Sequence, residues 1–568
     1  MRTISKGIRI TGLLACLLLL GSGLLRAQDI EKIAETPFLR VNGGVGVNQT
    51  FYTANGIENR RDPYFWLVNA NLNLDFLGIV QAPFSFSFSQ QDKNFSQPEP
   101  FNRFGLSPRY RAVTVHLGHR SMRFSDYTLG GNIFFGAGVE VKPKDSFFRG
   151  SVMYGRLTKP VARQSFDGLV FARPAFRRIG YGMKIGMGKK ESNTVDLIMF
   201  RAFDDINSIP ITDSLAITPE ENVVFGVNTN QKITQTLKFS MEYAFSMLTR
   251  NSTLPETSIQ NFSFANNLGN LFTANISSEF NKAVKSSLDY SGELFSLNLA
   301  YRRVDPGYRT LGSTFLNNDL EDISVGASTQ VAQGIVGLST NVGIQRNNLN
   351  GQLIEQVRRV IYSFGTNLNP SQNLNLNLNY SNFNSETTQS LIQTDILVDS
   401  LEFFQVTRNG TINLNYNFGK QSAQKSLFVS GSIQDAEDNQ QTNTTFYNIN
   451  TGLQMQPLPK LKTVLSFTYN RNQTEPAVNT TYGPVLSVGK NIFQNKVTTS
   501  LSVNFLSNYL NGEQVGDTKS LRFNSNMKLS KKQSLALSVF YVTSERSTDT
   551  EQVKFSEIRG SLNYSYRF

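Results

Sequence analysis

The last eleven residues constrain the fold most. Ile558, Gly560, Leu562, Tyr564, Tyr566 and Phe568 alternate with Arg559, Ser561, Asn563, Ser565 and Arg567. Successive side chains of a strand point to opposite faces, so this segment has one apolar wall and one wet wall. The same pattern recurs far upstream. Trp66, Val68, Ala70, Leu72 and Leu74 alternate with Asn69, Asn71 and Asn73, and Phe84, Phe86 and Phe88 with Ser85, Ser87 and Ser89. Leu374, Leu376, Leu378 and Tyr380 alternate with Asn373, Asn375, Asn377 and Asn379. A helix would scatter such rows around its whole surface. After the first 27 residues there is no run of 18 apolar residues, which excludes helical membrane spans. Strands with one oily and one wet face, repeated along a long chain, predict an all-β fold. The expected architecture is a single antiparallel transmembrane β-barrel, lipid outside and water inside.

The N-terminus reads as an export signal. Arg2, Lys6 and Arg9 precede the apolar stretch Ile10 to Leu25, and Leu25-Arg26-Ala27 offers a small residue for cleavage. The expected division is a signal peptide over 1–27, a short periplasmic segment over 28–38 and the barrel over 39–568. Cys16 is the only cysteine and would leave with the signal. The mature chain would then have no disulfide, no zinc-cysteine site and no thiol nucleophile, as suits an oxidising compartment.

Turn signals alternate in length. Short ones include Asn369-Pro370-Ser371-Gln372, Pro457-Leu458-Pro459-Lys460 and Ser530-Lys531-Lys532-Gln533. Between them fall longer polar stretches at 305–319, 384–404, 435–443, 508–517 and 544–551. Short turns at one end and long loops at the other are the two-sided habit of bacterial barrels. Counting segments predicts about 26 strands, within 22–26. The even number requires residues 105–130 to hold two strands, which we place around a turn at Gly118. The stretch 249–282 is long enough to hold a further hairpin.

With its signal peptide, alternating strands and terminal Tyr564-x-Tyr566-x-Phe568, the chain resembles the outer-membrane β-barrel proteins of Gram-negative bacteria. Its Asn- and Ser-rich inner rows and Tyr/Phe-rich outer rows are similar to barrels from the Bacteroidetes. The resemblance implies a cell outer membrane location and contact with outer-membrane lipids and lipopolysaccharide. It also implies that Tyr564, Tyr566 and Phe568 form the signal read by the barrel-assembly machinery. The ten residues before the first strand are too few for the plug domain of TonB-dependent receptors, so the expectation is a different subclass.

The formal charge of +12 is local. Residues 101–190 carry 17 Lys and Arg against 4 Asp and Glu. Nucleic acid is not the expected partner of an exported chain, whereas a lumen that attracts anions is. Candidate lumen or constriction residues are Arg111, His116, His119, Arg120, Arg123, Arg156, Arg177 and Arg178, with segments 119–130 or 157–178 folding inward to narrow the pore. Arg109, Arg149, Arg163 and Arg173 complete the band.

Catalytic and metal chemistry have little to stand on. The only histidines, His116 and His119, oppose each other across a regular strand unless Gly118 turns the chain. His119 with Ser121 lacks a glycine elbow or triad order. The carboxylate groups Asp204-Asp205, Glu220-Glu221, Asp319/Glu321/Asp322 and Asp435/Glu437/Asp438 have no histidine nearby in sequence. No metal, cofactor or catalytic residue is expected. The leading expectation is a porin-like channel or solute-uptake barrel, mildly anion-attracting, for small anionic or sugar solutes. The alternative is a non-conducting accessory barrel of a secretion, surface-assembly or motility machine. An outer-membrane lipid or peptide hydrolase is the remote third.

Overall fold

The computed structural model describes residues 37–568 except 91–100, 145, 163, 167–168, 173, 190–192, 211–216, 259–264, 266–267, 352–357, 390–400, 421–422, 439–442, 475 and 548–551. Residues 1–36, which hold the expected signal peptide, and Arg163 and Arg173 lie outside that description. The rest is an antiparallel sheet that closes on itself. Each barrel strand pairs with the next barrel strand along the chain, and the last, Gln552–Arg567, pairs with the first, Leu39–Asn55; Gln164–Phe166 and Leu169–Ala172 form a separate two-stranded sheet between the paired Phe148–Thr158 and Arg177–Met187. Closure leaves no edge of unpaired amides, which is what hydrocarbon demands.

The ring has 26 strands. Two short pieces, Arg103–Leu106 and Arg109–Tyr110, occupy one strand position, because both pair with Val80–Ser89 on one side and Val113–Arg123 on the other. Pro108 has no N–H for the ladder and splits that strand. The even number predicted for 105–130 therefore holds, but its turn does not sit at Gly118. Gly118 lies inside the strand Val113–Arg123, and the chain reverses at Arg111-Ala112, where Arg111 has φ 51°. A second expectation fails at 508–517. The strands Val497–Leu510 and Glu513–Lys528 meet at Asn511-Gly512, with φ 52° and 91°. Asn-Gly is the pair that a two-residue hairpin turn with left-handed φ selects. The stretch 249–282 contributes no barrel strand of its own among the described residues; Leu237–Thr249 pairs directly with Ser278–Ser291.

We call the end that holds Leu39 and Phe568 the terminal end. Its connections are short, such as 459–460, 493–496 and 529–532, while the far end carries 305–319 and 250–277. The outer face shows its membrane band directly. Along Leu461–Thr474, Leu461, Thr463, Leu465, Phe467 and Tyr469 share one face, followed by Arg471 and Gln473. Leu465 and Phe467 are 53% and 43% exposed, which only hydrocarbon makes favourable in such numbers. Tyr469, Tyr482 and Tyr509 stack at the upper margin, with ring centroids 6.4 and 5.2 Å apart. Nine residues up to a tyrosine girdle match the ~25 Å apolar belt of outer-membrane barrels.

Above that girdle the outer face turns ionic. Arg303 and Arg346 flank Glu321, Arg201 pairs with Glu221, and Arg408 meets Asp435 and Glu437. Described residues of the connection 250–277 fold back over this part of the wall. Among them, Ala265, Phe272 and Ala274 cover the outward Val223 and Met247, with Phe225, Phe245 and Phe280 packed alongside.

Candidate functional site

Inside the ring, parity places the asparagine and serine rows toward water. Asn375 Nδ2 donates to Asn367 Oδ1 at 3.3 Å, Asn379 Nδ2 to Asn377 Oδ1 at 2.6 Å, and Ser430 Oγ to Asn413 Oδ1 at 2.9 Å. These neutral ladders line the half of the barrel built from the C-terminal part of the chain. The other half is narrowed by two inward loops. Strand spacing of ~4.8 Å and a tilt of ~40° give 26 strands a backbone radius of about 26 Å in circular section, far more than two loops can fill.

The first loop is 124–129, between the strands Val113–Arg123 and Gly130–Val141; the second is 305–319. The two dock on each other and on the wall. Tyr308 Oη donates to the Tyr127 carbonyl at 2.6 Å and Thr310 Oγ1 to the Thr128 carbonyl at 2.7 Å. The Gly130 N–H donates to the Gly312 carbonyl at 2.9 Å. Asn222 joins them to the wall: its Nδ2 donates to Ser246 Oγ and the Met247 carbonyl, and its Oδ1 accepts the Leu311 N–H at 3.1 Å. Leu129 and Leu311 complete an apolar cluster with Met122, Phe134, Met153, Ile198 and Phe200. A Cβ on Gly312 would stand 2.5 Å from the Thr128 carbonyl, so a larger residue blocks the docking.

The matching triplets Thr128-Leu129-Gly130 and Thr310-Leu311-Gly312 are the signal that sequence reasoning missed. The expectation that 119–130 folds inward is met at 124–129. The polar loop expected at 305–319 instead buries Tyr308, Thr310 and Leu311.

A charged row crosses the lumen wall below the loops. Glu242, Lys285, Arg302 and Asp322 are successive partners across four strands. Asp126 sits over them, ion-paired with Arg123 and 3.5 Å from the Lys285 ammonium. Burial disfavours the Asp126 carboxylate, yet the hydrogen bond and charge of Arg123, with Lys285, hold its pKa below the usual range. Burial pushes the Tyr127 and Tyr308 hydroxyls up, so both stay protonated. A cavity of about 350 Å³ opens here, lined by Arg123, Lys285, Arg302, Tyr127 and Phe315.

The candidate residues do not converge. Arg178 is half-buried in the lumen wall between Asp204 at 2.7 Å and Glu220 at 2.8 Å, and Arg309 shares Glu220. Arg177, one residue earlier, faces outward and pairs with Asp205. Arg120 lies along the inner wall, donating to Ser85 Oγ at 2.8 Å and to the carbonyls of Pro83 and Gly105. Arg156 faces outward over Phe135 at 5.2 Å. Arg111 sits in the terminal-end turn over Tyr110 at 5.3 Å. Arg149 reaches Asp196 at 2.5 Å. Arg149, Arg177 and Arg178 are thus neutralised by carboxylates from strands outside the band.

His116 faces inward, 3.0 Å from Ser107 Oγ and 3.8 Å from Glu140. His119 faces outward, its ring 4.6 Å from that of Phe135. The two rings therefore address different sides of the wall. The carboxylate doublets split in the same way: Asp204 and Glu220 point in, Asp205 and Glu221 out. Tyr564 and Tyr566 lie beside Val47 and Val45 at the closing seam, and the Phe568 N–H donates to the Gly43 carbonyl at 3.1 Å.

No protein-family model matches this chain, and no curated protein matches it. Among solved structures it is similar to a mutant ferric enterobactin receptor of Pseudomonas aeruginosa, at 8% identity and a TM-score of 0.40 over 93% of this chain and 80% of that one. It is also similar to the ferric yersiniabactin uptake receptor of Yersinia pestis, at 8% identity and 0.41 over 94% and 81%. The P pilus usher translocation pore gives 10% and 0.38 over 93% and 100%. At such values none of them carries a function over. The chain's own geometry is that of a closed β-barrel of the outer-membrane type.

Proposed function

We propose that this protein is an outer-membrane channel that admits small polar solutes, with a mild preference for anions. The observation that carries this reading is the unequal lining of a wide closed ring. One sector is occupied by the docked loops, and the remainder presents hydrogen-bonded Asn, Ser and Thr side chains to water. A lining of neutral donors and acceptors replaces hydration shells without trapping ions. The charge preference is mild because Arg178, Arg149 and Arg123 each meet a carboxylate. The C-terminal strand that closes the ring is the natural handle for assembly in the membrane.

Purified protein in planar bilayers should give discrete conductance steps with a reversal potential displaced modestly toward anions. Replacing Arg120 and Arg123 together by Glu should move it toward cations. Absence of steps, with a second protein co-purifying, would favour the accessory-barrel reading. Phe315, 91% exposed at the inner loop, is the side chain such a partner would cover.

A further inference from the structure

Over residues 419–568 the terminal-end turns are edged by lysines and hold no described carboxylate. At the terminal end, the turn after Leu401–Phe418 carries Lys420 and is followed by Lys425, and the turn at 459–460 carries Lys460, whereas Lys462, next to the outward Leu461, faces the lumen. The next two are edged by Lys490 and Lys496, then by Lys531 and Lys532, whereas Lys528, next to the outward Met527, faces the lumen. The other seven side chains are exposed, and no ion pair engages them among the described residues. The described carboxylates of the same stretch, from Asp435 to Glu557, lie toward the far end.

A second pattern accompanies the first. Three of these turns and the chain end each hold an exposed apolar residue beside the cations: Leu458 (60%), Phe493 (72%), Leu529 (48%) and Phe568 (45%). The turns follow one another around the rim at steps of ~12 Å, two strand widths along the perimeter. An ammonium at headgroup depth with an apolar side chain reaching toward the acyl chains is an interfacial anchor. A soluble anion would use the lysines and leave Phe493 and Leu529 in water. A lipid uses both.

We propose that this arc of terminal-end turns binds anionic phospholipid, the lysines taking the headgroup phosphates and the apolar residues the upper acyl chains. The inference rests on the transmembrane fold and is independent of whether the lumen conducts. Lysine near a negatively charged leaflet contributes an attraction that fades within a Debye length, so the contact is salt-sensitive.

The test compares spin-labelled phosphatidylglycerol with spin-labelled phosphatidylcholine at the surface of the full-length protein in phosphatidylcholine vesicles. The expected result is a several-fold excess of phosphatidylglycerol in the immobilised shell, lost as salt is raised. Combined replacement of Lys425, Lys460, Lys490, Lys496 and Lys531 by Gln should bring the ratio close to one. Lys519→Gln with Lys554→Gln, away from the arc, should leave it unchanged. Strand circular dichroism identifies any variant that fails to fold, and the salt series on the unaltered protein then decides. Equal association of the two lipids, an excess that survives the five replacements or high salt, or equal loss in the control pair would overturn the proposal. So would displacement of the lipid by inorganic phosphate at constant ionic strength, which would assign the lysines to a soluble anion.

Discussion

Asn222 has no exposed surface and ties three elements together through three hydrogen bonds. Asn222→Ala should leave the Leu311 N–H and the Met247 carbonyl short of partners, at a cost of about 2 kcal/mol. The expected outcome is faster proteolysis within 305–319 in a barrel that otherwise stays folded. Arg178→Ala is harsher, because it leaves the buried Asp204 without its cation and Glu220 with Arg309 alone. Breaking a buried pair costs roughly 3–5 kcal/mol, so the variant should unfold at markedly lower temperature by circular dichroism. Asp126 sets a pH response with a definite sign. Its folded pKa lies below the ordinary carboxylate value, so its contribution is complete above that value and disappears as pH falls through the depressed one. Loop docking should therefore be indifferent to pH near neutrality and loosen only in strong acid, with Asp126→Asn flattening the response.

At the level of elements, closure depends on the seam between the first and last strands. Gly43 has φ 127°, and a Cβ there would lie 2.1 Å from the Asn71 carbonyl, while its own carbonyl receives the Phe568 N–H. Gly43→Val should reduce the yield of folded barrel, read as loss of the compact band on unheated gels. The inward loop offers the complementary test. Replacing 307–317 by a short Gly-Ser linker removes Tyr308, Thr310 and Leu311 and should raise single-channel conductance. The strands themselves were plain in the sequence because period-two alternation needs only neighbours. Leu374 to Tyr380 and Ile558 to Phe568 announce their faces without any partner. The turn at Arg111 was hidden for the opposite reason. Nothing local to Arg111-Ala112 signals a reversal, while Gly118, an attractive turn residue, serves a close backbone approach inside a strand.

For the whole molecule, fold class, strand number and the two kinds of connection were legible, and the electrostatics were not. Arg177-Arg178, Asp204-Asp205 and Glu220-Glu221 look like one basic and two acidic clusters when read along the chain. Across the sheet they become alternating ion pairs, one set inside and one outside. Local charge excess misleads when register supplies the counter-charge from strands tens of residues away. The docked loops were half legible, since their long-range partners share a Thr-Leu-Gly triplet that has meaning only once the ring brings residues 128 and 310 together.

The segment laid over Val223, Met247 and Phe280 has a geometric corollary for the surrounding bilayer. The covered patch stands above the tyrosine girdle, and its cover carries exposed apolar surface of its own, Ile276 among it, so on this side apolar surface reaches higher than it does beside Phe467 or Leu465. A cylinder whose hydrophobic height varies around its girth cannot sit upright in a flat membrane without strain. It leans, or the nearby leaflet puckers. Either response gives this protein a preferred heading and a preferred set of neighbours, dictated by a surface loop.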